Sequence, residues 1–141
     1  MSKVISIRLK DRPMESLQRV ARRMGRTPTE SAQILLDEML RQCEFAFVEF
    51  RDSPAGRQAY LRGSRLKIWQ VVQIVQDYQG DVARAAAHLS IPPVQVMAAL
   101  NYSKAFPDEI EAAIRDSECS VAELERLIPN LEVVDADASS A

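Results

Sequence analysis

Hydrophobic and polar residues alternate over "KVISIRLK", residues 3 to 10, before helical spacing takes over. A period of two predicts a strand with an apolar face of Ile5, Ile7 and Leu9 and an outward face of Val4, Ser6, Arg8 and Lys10. Asp11-Arg12-Pro13 then offers a polar cap candidate and a proline tolerated in the first turn, and Met14, Leu17, Val20, Ala21 and Met24 recur at helical spacing. Gly25 supplies the stop, so this first helix is expected to run about three turns. In "TPTE", Thr27 caps, Pro28 takes the first helical position, and Glu30 can reach back to close a capping box. A second helix starts there, with Ala32, Leu35, Leu36, Met39, Leu40 and Cys43 as its apolar face.

The pattern changes at Phe45, Phe47, Val48 and Phe50, which favour strand, and Ser53-Pro54-Ala55-Gly56 is turn chemistry, so a hairpin is expected from about 45 to 63. A helix with Ile68, Trp69, Val71, Val72, Ile74, Val75 and Tyr78 follows, closed by Gly80, with Trp69 read as core. In "VARAAAHLSIPPVQVMAALNY", Ala86, Ser90 and Val96 fall at the small-residue, turn and apolar positions of a helix-turn-helix pair. The second helix of that pair offers only Gln95, Asn101 and Tyr102 as polar readers and no basic residue there, which argues against its entering a DNA groove. Two short helices, roughly 107 to 117 and 120 to 128, lead to an acidic end, "NLEVVDADASSA".

A lone strand leaves backbone donors and acceptors unpaired, and two helices intervene before another strand can reach it. The economical partner is the same strand of a second copy, giving an antiparallel ribbon with one face on the helices and one face free. A major groove admits such a ribbon, and Arg8 carries the forked donors that match guanine, while Ser6 can give or take a hydrogen bond. The helix start at Thr27 to Glu30 presents backbone amides suited to phosphate, and Arg19, Arg22, Arg23 and Arg26 add charge. Alternation alone fits equally well a swapped dimerisation strand that never meets DNA. The order strand, helix, "GR" turn, capped helix favours the DNA reading.

Charge sharpens this picture. The net charge of -2 conceals a basic head, with 8 basic and 2 acidic groups in residues 1–27, and an acidic end, with 2 and 10 in residues 107–141. Two different partners are the natural inference. An apolar fraction of 47% with 27% charged residues is the balance of a globular protein, and no run approaches the ~18 apolar residues of a membrane span, so the expected location is the cytoplasm. Cys43 and Cys119 lie far apart and His88 is the only histidine, which leaves no metal-ligand spacing and predicts no cofactor. Both cysteines are expected to be reduced and mostly buried, and His88 to sit at the surface. The inventory lacks a Ser-His-Asp set, a close Cys-His pair and a phosphate-binding glycine loop, so an enzyme is not expected.

Residues 3 to 43, through "ISIRL", the proline-bearing turn and "VARRMGRTPTES", resemble the ribbon-helix-helix module of the Arc and MetJ repressors and of VapB-type antitoxins. The resemblance implies an obligate dimer in which Val4, Ser6 and Arg8 face base edges; Lys3, Lys10, Arg26, Thr27 and Thr29 are the candidate phosphate contacts. Val4 departs from the polar residue common at the first outward position. Residues 45 to about 115, through "GRQAYLRGSRLKIWQVV", "VMAALNY" and "FPDEIEAAI", resemble the bacterial domain of unknown function 433, often encoded beside small PIN-like ribonucleases. Together these imply a mainly α chain in three parts: a ribbon-helix-helix over 1–44, a β-hairpin with a helix-turn-helix-like helical domain over 45–117, and an acidic helix and tail over 118–141. The function implied is the antitoxin of a type II toxin-antitoxin pair, repressing its own operon and sequestering a PIN-like ribonuclease. Because such a toxin would carry a cluster of acidic residues, the toxin-binding candidates are Arg115 and Arg126, with Leu124 and Leu127 beside them. The alternative is a stand-alone ribbon-helix-helix regulator with a ligand-sensing or oligomerisation domain.

Overall fold

Two helices, a β-hairpin and four further helices follow one another in the computed structural model, which describes residues 2–118, 123 and 126–128. Helix α1 spans Asp11–Met24, nearer four turns than three. Lys10 occupies the capping position without a side-chain capping bond, so Asp11 acts from inside the first turn, where its charge faces the positive end of the helix. Gly25 takes φ +66°, and Arg26 N–H donates to the Ala21 carbonyl at 3.0 Å to close the turn.

Helix α2 spans Pro28–Glu44. Thr27 Oγ1 accepts from Glu30 N–H at 3.1 Å, as the spacing predicts; the reciprocal bond from the Glu30 side chain is not made among the described residues. Strands β1, Val48–Ser53, and β2, Gly56–Leu61, pair antiparallel with Val48 opposite Leu61 and Ser53 opposite Gly56. Pro54 and Ala55 alone link them. Ser53 Oγ accepts from Ala55 N–H at 3.2 Å, and Gly56, at φ +99°, supplies the backbone conformation that a side chain would strain.

Helices α3, Ile68–Asp77, α4, Val82–Leu89, α5, Pro93–Ala105, and α6, Pro107–Ser117, complete the described fold. The core gathers around α3, which packs on α4, α5, α6 and β2. Val48, Leu61, Ile68, Val71, Val96 and Tyr102 are fully buried in it. Ala86 of α4 and Val96 of α5 are buried, and Ser90 ends α4 with φ +56°.

Two expectations are corrected. Tyr102 is no polar reader: it is 0% exposed, because its ring packs edge-on against Phe45 and Phe50 at 5.5 and 6.4 Å. Cys43 is exposed rather than buried, since none of the described residues covers the apolar face of α2, where Leu36, Met39 and Leu40 are 51%, 56% and 53% exposed. Cys119 lies outside the described residues, as does most of the expected helix over 120 to 128. On the polar side of α2, Glu38 and Arg41 face the rest of the fold rather than solvent. Glu38 is buried and receives Arg57 of β2 through three contacts of 2.8, 3.2 and 2.6 Å. Arg41 Nη1 donates to Tyr102 Oη at 2.8 Å and to Glu109 Oε1 at 3.0 Å.

Trp69 is partly buried against the core and His88 is exposed, its Nδ1 2.9 Å from Tyr78 Oη. No helix among the described residues is long and apolar enough to cross a membrane.

Candidate nucleic-acid interface

Residues 2–10 take neither helix nor strand in the single chain, because strand structure needs a paired neighbour and none is offered. The apolar side nevertheless faces as the alternation requires. Ile5, Ile7 and Leu9 join Leu17, Ala32 and Leu36 along a groove of about 370 Å³ between the segment and the two helices. They do not fill it: Ile7 stays 67% exposed. The outward residues Val4, Ser6 and Arg8 and the flanking Lys3 and Lys10 are all exposed, Val4 to 92%.

The start of α2 places Arg26, Thr27 and Thr29 at the surface. It offers fewer free amides than the sequence promises. Pro28 has no N–H, Glu30 N–H is taken by Thr27 Oγ1, and Ser31 N–H donates to the Thr27 carbonyl at 2.9 Å. Thr29 N–H is left, beside the Thr27 and Thr29 hydroxyls, for an anion.

Among the described residues the ion pairs gather in the hairpin and where α2 meets the hairpin and α6. Arg51 pairs with Glu49, Arg57 with Glu38 and Asp52, and Arg41 with Glu109 and Asp37. The Arg51 hydrogen bond holds the Glu49 carboxyl below its usual range. Burial opposes the charge of Arg41, but the Tyr102 hydrogen bond and the nearby Glu109 and Asp37 carboxylates outweigh it and raise its pKa. Burial, and then the Glu109 carboxylate 2.6 Å away, push the Tyr102 phenol far above its ordinary value. By contrast, Arg8, Arg12, Arg19, Arg22, Arg23 and Arg26 make no ion pair among the described residues. Arg12 was missed as a functional candidate in the sequence, although its spacing to Arg19, Arg23 and Arg26 was there to be read.

The toxin-binding candidates sit elsewhere. Arg115 is exposed in the last turn of α6, and Arg126 and Leu127 are exposed; Leu124 lies outside the described residues. A second apolar groove, about 570 Å³, opens between the residues before β1 and the outer face of α5, lined by Phe47, Val82, Val94, Met97, Leu100 and Lys104. Val94 and Met97 are exposed there, so the outer face of the would-be recognition helix is apolar, unlike a DNA reader. No group of three or more possible metal ligands occurs among the described residues.

What the geometry defines is a mainly helical chain with one two-stranded antiparallel sheet, an open apolar groove at its basic end and a closed core beyond. Comparison with protein-family models, with curated proteins and with solved structures finds no match.

Proposed function

We propose that the chain is the antitoxin of a type II toxin-antitoxin pair, which binds its operator as a ribbon-helix-helix dimer and neutralises a PIN-like ribonuclease. One observation carries the DNA half of this reading. The segment 3–10 alternates, lies unpaired, and sits over an unfilled groove whose missing wall a second copy of the same segment would supply. Pairing would bury Ile5, Ile7 and Leu9 and turn Val4, Ser6 and Arg8 outward as one strip, with Arg8 as the guanine reader and Thr29 N–H on the adjoining phosphate. The ribonuclease half rests on the family resemblance of residues 45 to 115 and on the acidic end with Arg115 and Arg126. The reading gives the chain no catalysis, no cofactor and a place in the cytoplasm.

A stand-alone regulator is the second reading, favoured by the groove at Phe47, Val94 and Met97, whose volume lies in the range of small-molecule sites. Co-expression of the tagged chain with the adjacent gene, then size-exclusion light scattering and operator titration, decides between them. A stable complex with a nuclease whose RNA cleavage is silent until the complex is broken supports the antitoxin. A dimer that binds promoter DNA and retains no protein supports the regulator, and a monomer that binds no DNA overturns both.

A further inference from the structure

Helix α1 has two opposite faces, of which only one is used inside the protein. At 3.6 residues per turn, Arg12, Arg19 and Arg23 lie within about 40° of one another around the axis, and the α2-facing Leu17 and Ala21 lie roughly 120 to 180° away. Arg26 is exposed in the turn between α1 and α2. Arg19, Arg22 and Arg23 border an open surface groove of about 400 Å³. Arg19 donates to Ser16 Oγ at 3.1 Å, which holds its guanidinium on this side. Neither Asp11, next to Arg12, nor Glu15, four residues before Arg19, makes an ion pair with the stripe among the described residues.

From this the geometry points to α1 as a second backbone-binding surface: its outer arginine stripe takes the phosphates of duplex DNA beside the site that the ribbon reads. The inference deepens the DNA-binding half of the proposed function and rests on it. Arg12 to Arg23 spans about 16 Å, beside which one DNA strand presents about five phosphates. Arginine matches them with planar, paired donors and stays charged throughout. Arg51 and Arg57 of the hairpin are neutralised by carboxylates; leaving a helix face of arginines without ion pairs among the described residues concentrates positive potential where it steers a polyanion. Such contacts carry no sequence information, so the stripe governs affinity and salt response, while Arg8 governs specificity.

The test uses the full chain, with the salt dependence of binding measured on the operator and on a long random-sequence duplex. Replacing Arg12, Arg19 and Arg23 together by glutamine is expected to lower the slope of log affinity against log salt by about 2 to 3 for each protomer engaged, equally on both duplexes. Replacing the same three by lysine keeps most of the slope, and circular dichroism of both variants separates lost charge from lost helix. An unchanged slope in the glutamine variant, with wild-type operator binding intact, overturns the stripe and leaves the proposed function standing. A lowered slope with Arg8→Ala indifferent to sequence keeps the stripe and removes base reading. If the glutamine variant instead weakens only the complex with the co-expressed protein, the stripe's anion is a protein, and the inference falls.

Discussion

The first 44 residues and the next 73 are both rich in apolar side chains, yet they use them in opposite ways. From Val48 to Ile110 the apolar residues close around α3, and Arg51 and Arg57 find carboxylates. Before Val48, Ala21 is the one fully buried apolar residue among those described; Ile5, Ile7, Leu36, Met39 and Leu40 stand open, and the arginines of α1 are free of ion pairs. A helical hairpin with a single apolar face has nothing within one chain to cover it. The lesson is that the core of the second region closes within the described residues, whereas the first leaves an apolar groove open, which on the proposed reading a second copy would close.

The largest effect that can break this contrast lies in the finished half. Leu61, fully buried between the hairpin and α3, is expected to cost about 2 to 5 kcal/mol when replaced by alanine, at any protein concentration. Leu36→Ala, in the open groove, should instead shift the unfolding midpoint in a concentration-dependent way and raise the dimer dissociation constant. Denaturant unfolding over a hundredfold range of protein concentration distinguishes them. A Leu36→Ala chain whose midpoint and association are unchanged would mean the first region is not finished by a second copy.

A smaller effect tests the seam, where Arg41 of α2 meets Tyr102 and Glu109. The folded pKa of Tyr102 is raised, so its contribution is whole below the unfolded phenol value of about 10 and is lost as pH rises beyond it. Above about pH 10 the wild type should lose about 1.4 kcal/mol per pH unit more steeply than Tyr102→Phe, which has no proton to give up. Urea unfolding across that window gives the difference directly. Parallel curves would mean that Tyr102 ionises in place, and that the two halves are joined less tightly than the Arg41 contacts imply.

The two halves were also unequally legible. The hairpin could be read because Ser53-Pro54-Ala55-Gly56 permits little else, and α4 with α5 because Ala86, Ser90 and Val96 are local signals at fixed spacing. Glu38 and Arg41 could not, since periodicity assigns a helix's charged side to water and is blind to Arg57, 19 residues on, and to Glu109, 68 residues on. Tyr102 was misread for the same reason: a phenol is polar by composition, and only packing against Phe45 and Phe50 makes it core. At the candidate interface, Val4, Ser6 and Arg8 are exposed, but so are Ile5, Ile7 and Leu9, so exposure in the single chain does not separate the two faces. The shortage of free amides at α2 follows from Pro28 and Thr27, both visible in the sequence and both counted there only as helix-starting signals.

The smallest effect concerns Thr27, which belongs to both sides of the comparison because it caps α2 and stands among the phosphate candidates. Its Oγ1 accepts from Glu30 N–H, leaving the hydroxyl proton free to donate to a phosphate. Thr27→Ala should therefore cost about 1 kcal/mol of stability through the lost cap. Its effect on DNA is expected to be smaller than the loss of one phosphate bond, because the same change releases Glu30 N–H to bind the anion in place of the hydroxyl. Thr27→Ser should keep both functions. Thermal unfolding paired with operator titration of the two variants reads the two roles separately. If alanine weakens operator binding by much more than its stability loss while serine does not, the hydroxyl itself holds the phosphate, and the start of α2 works through side chains rather than backbone.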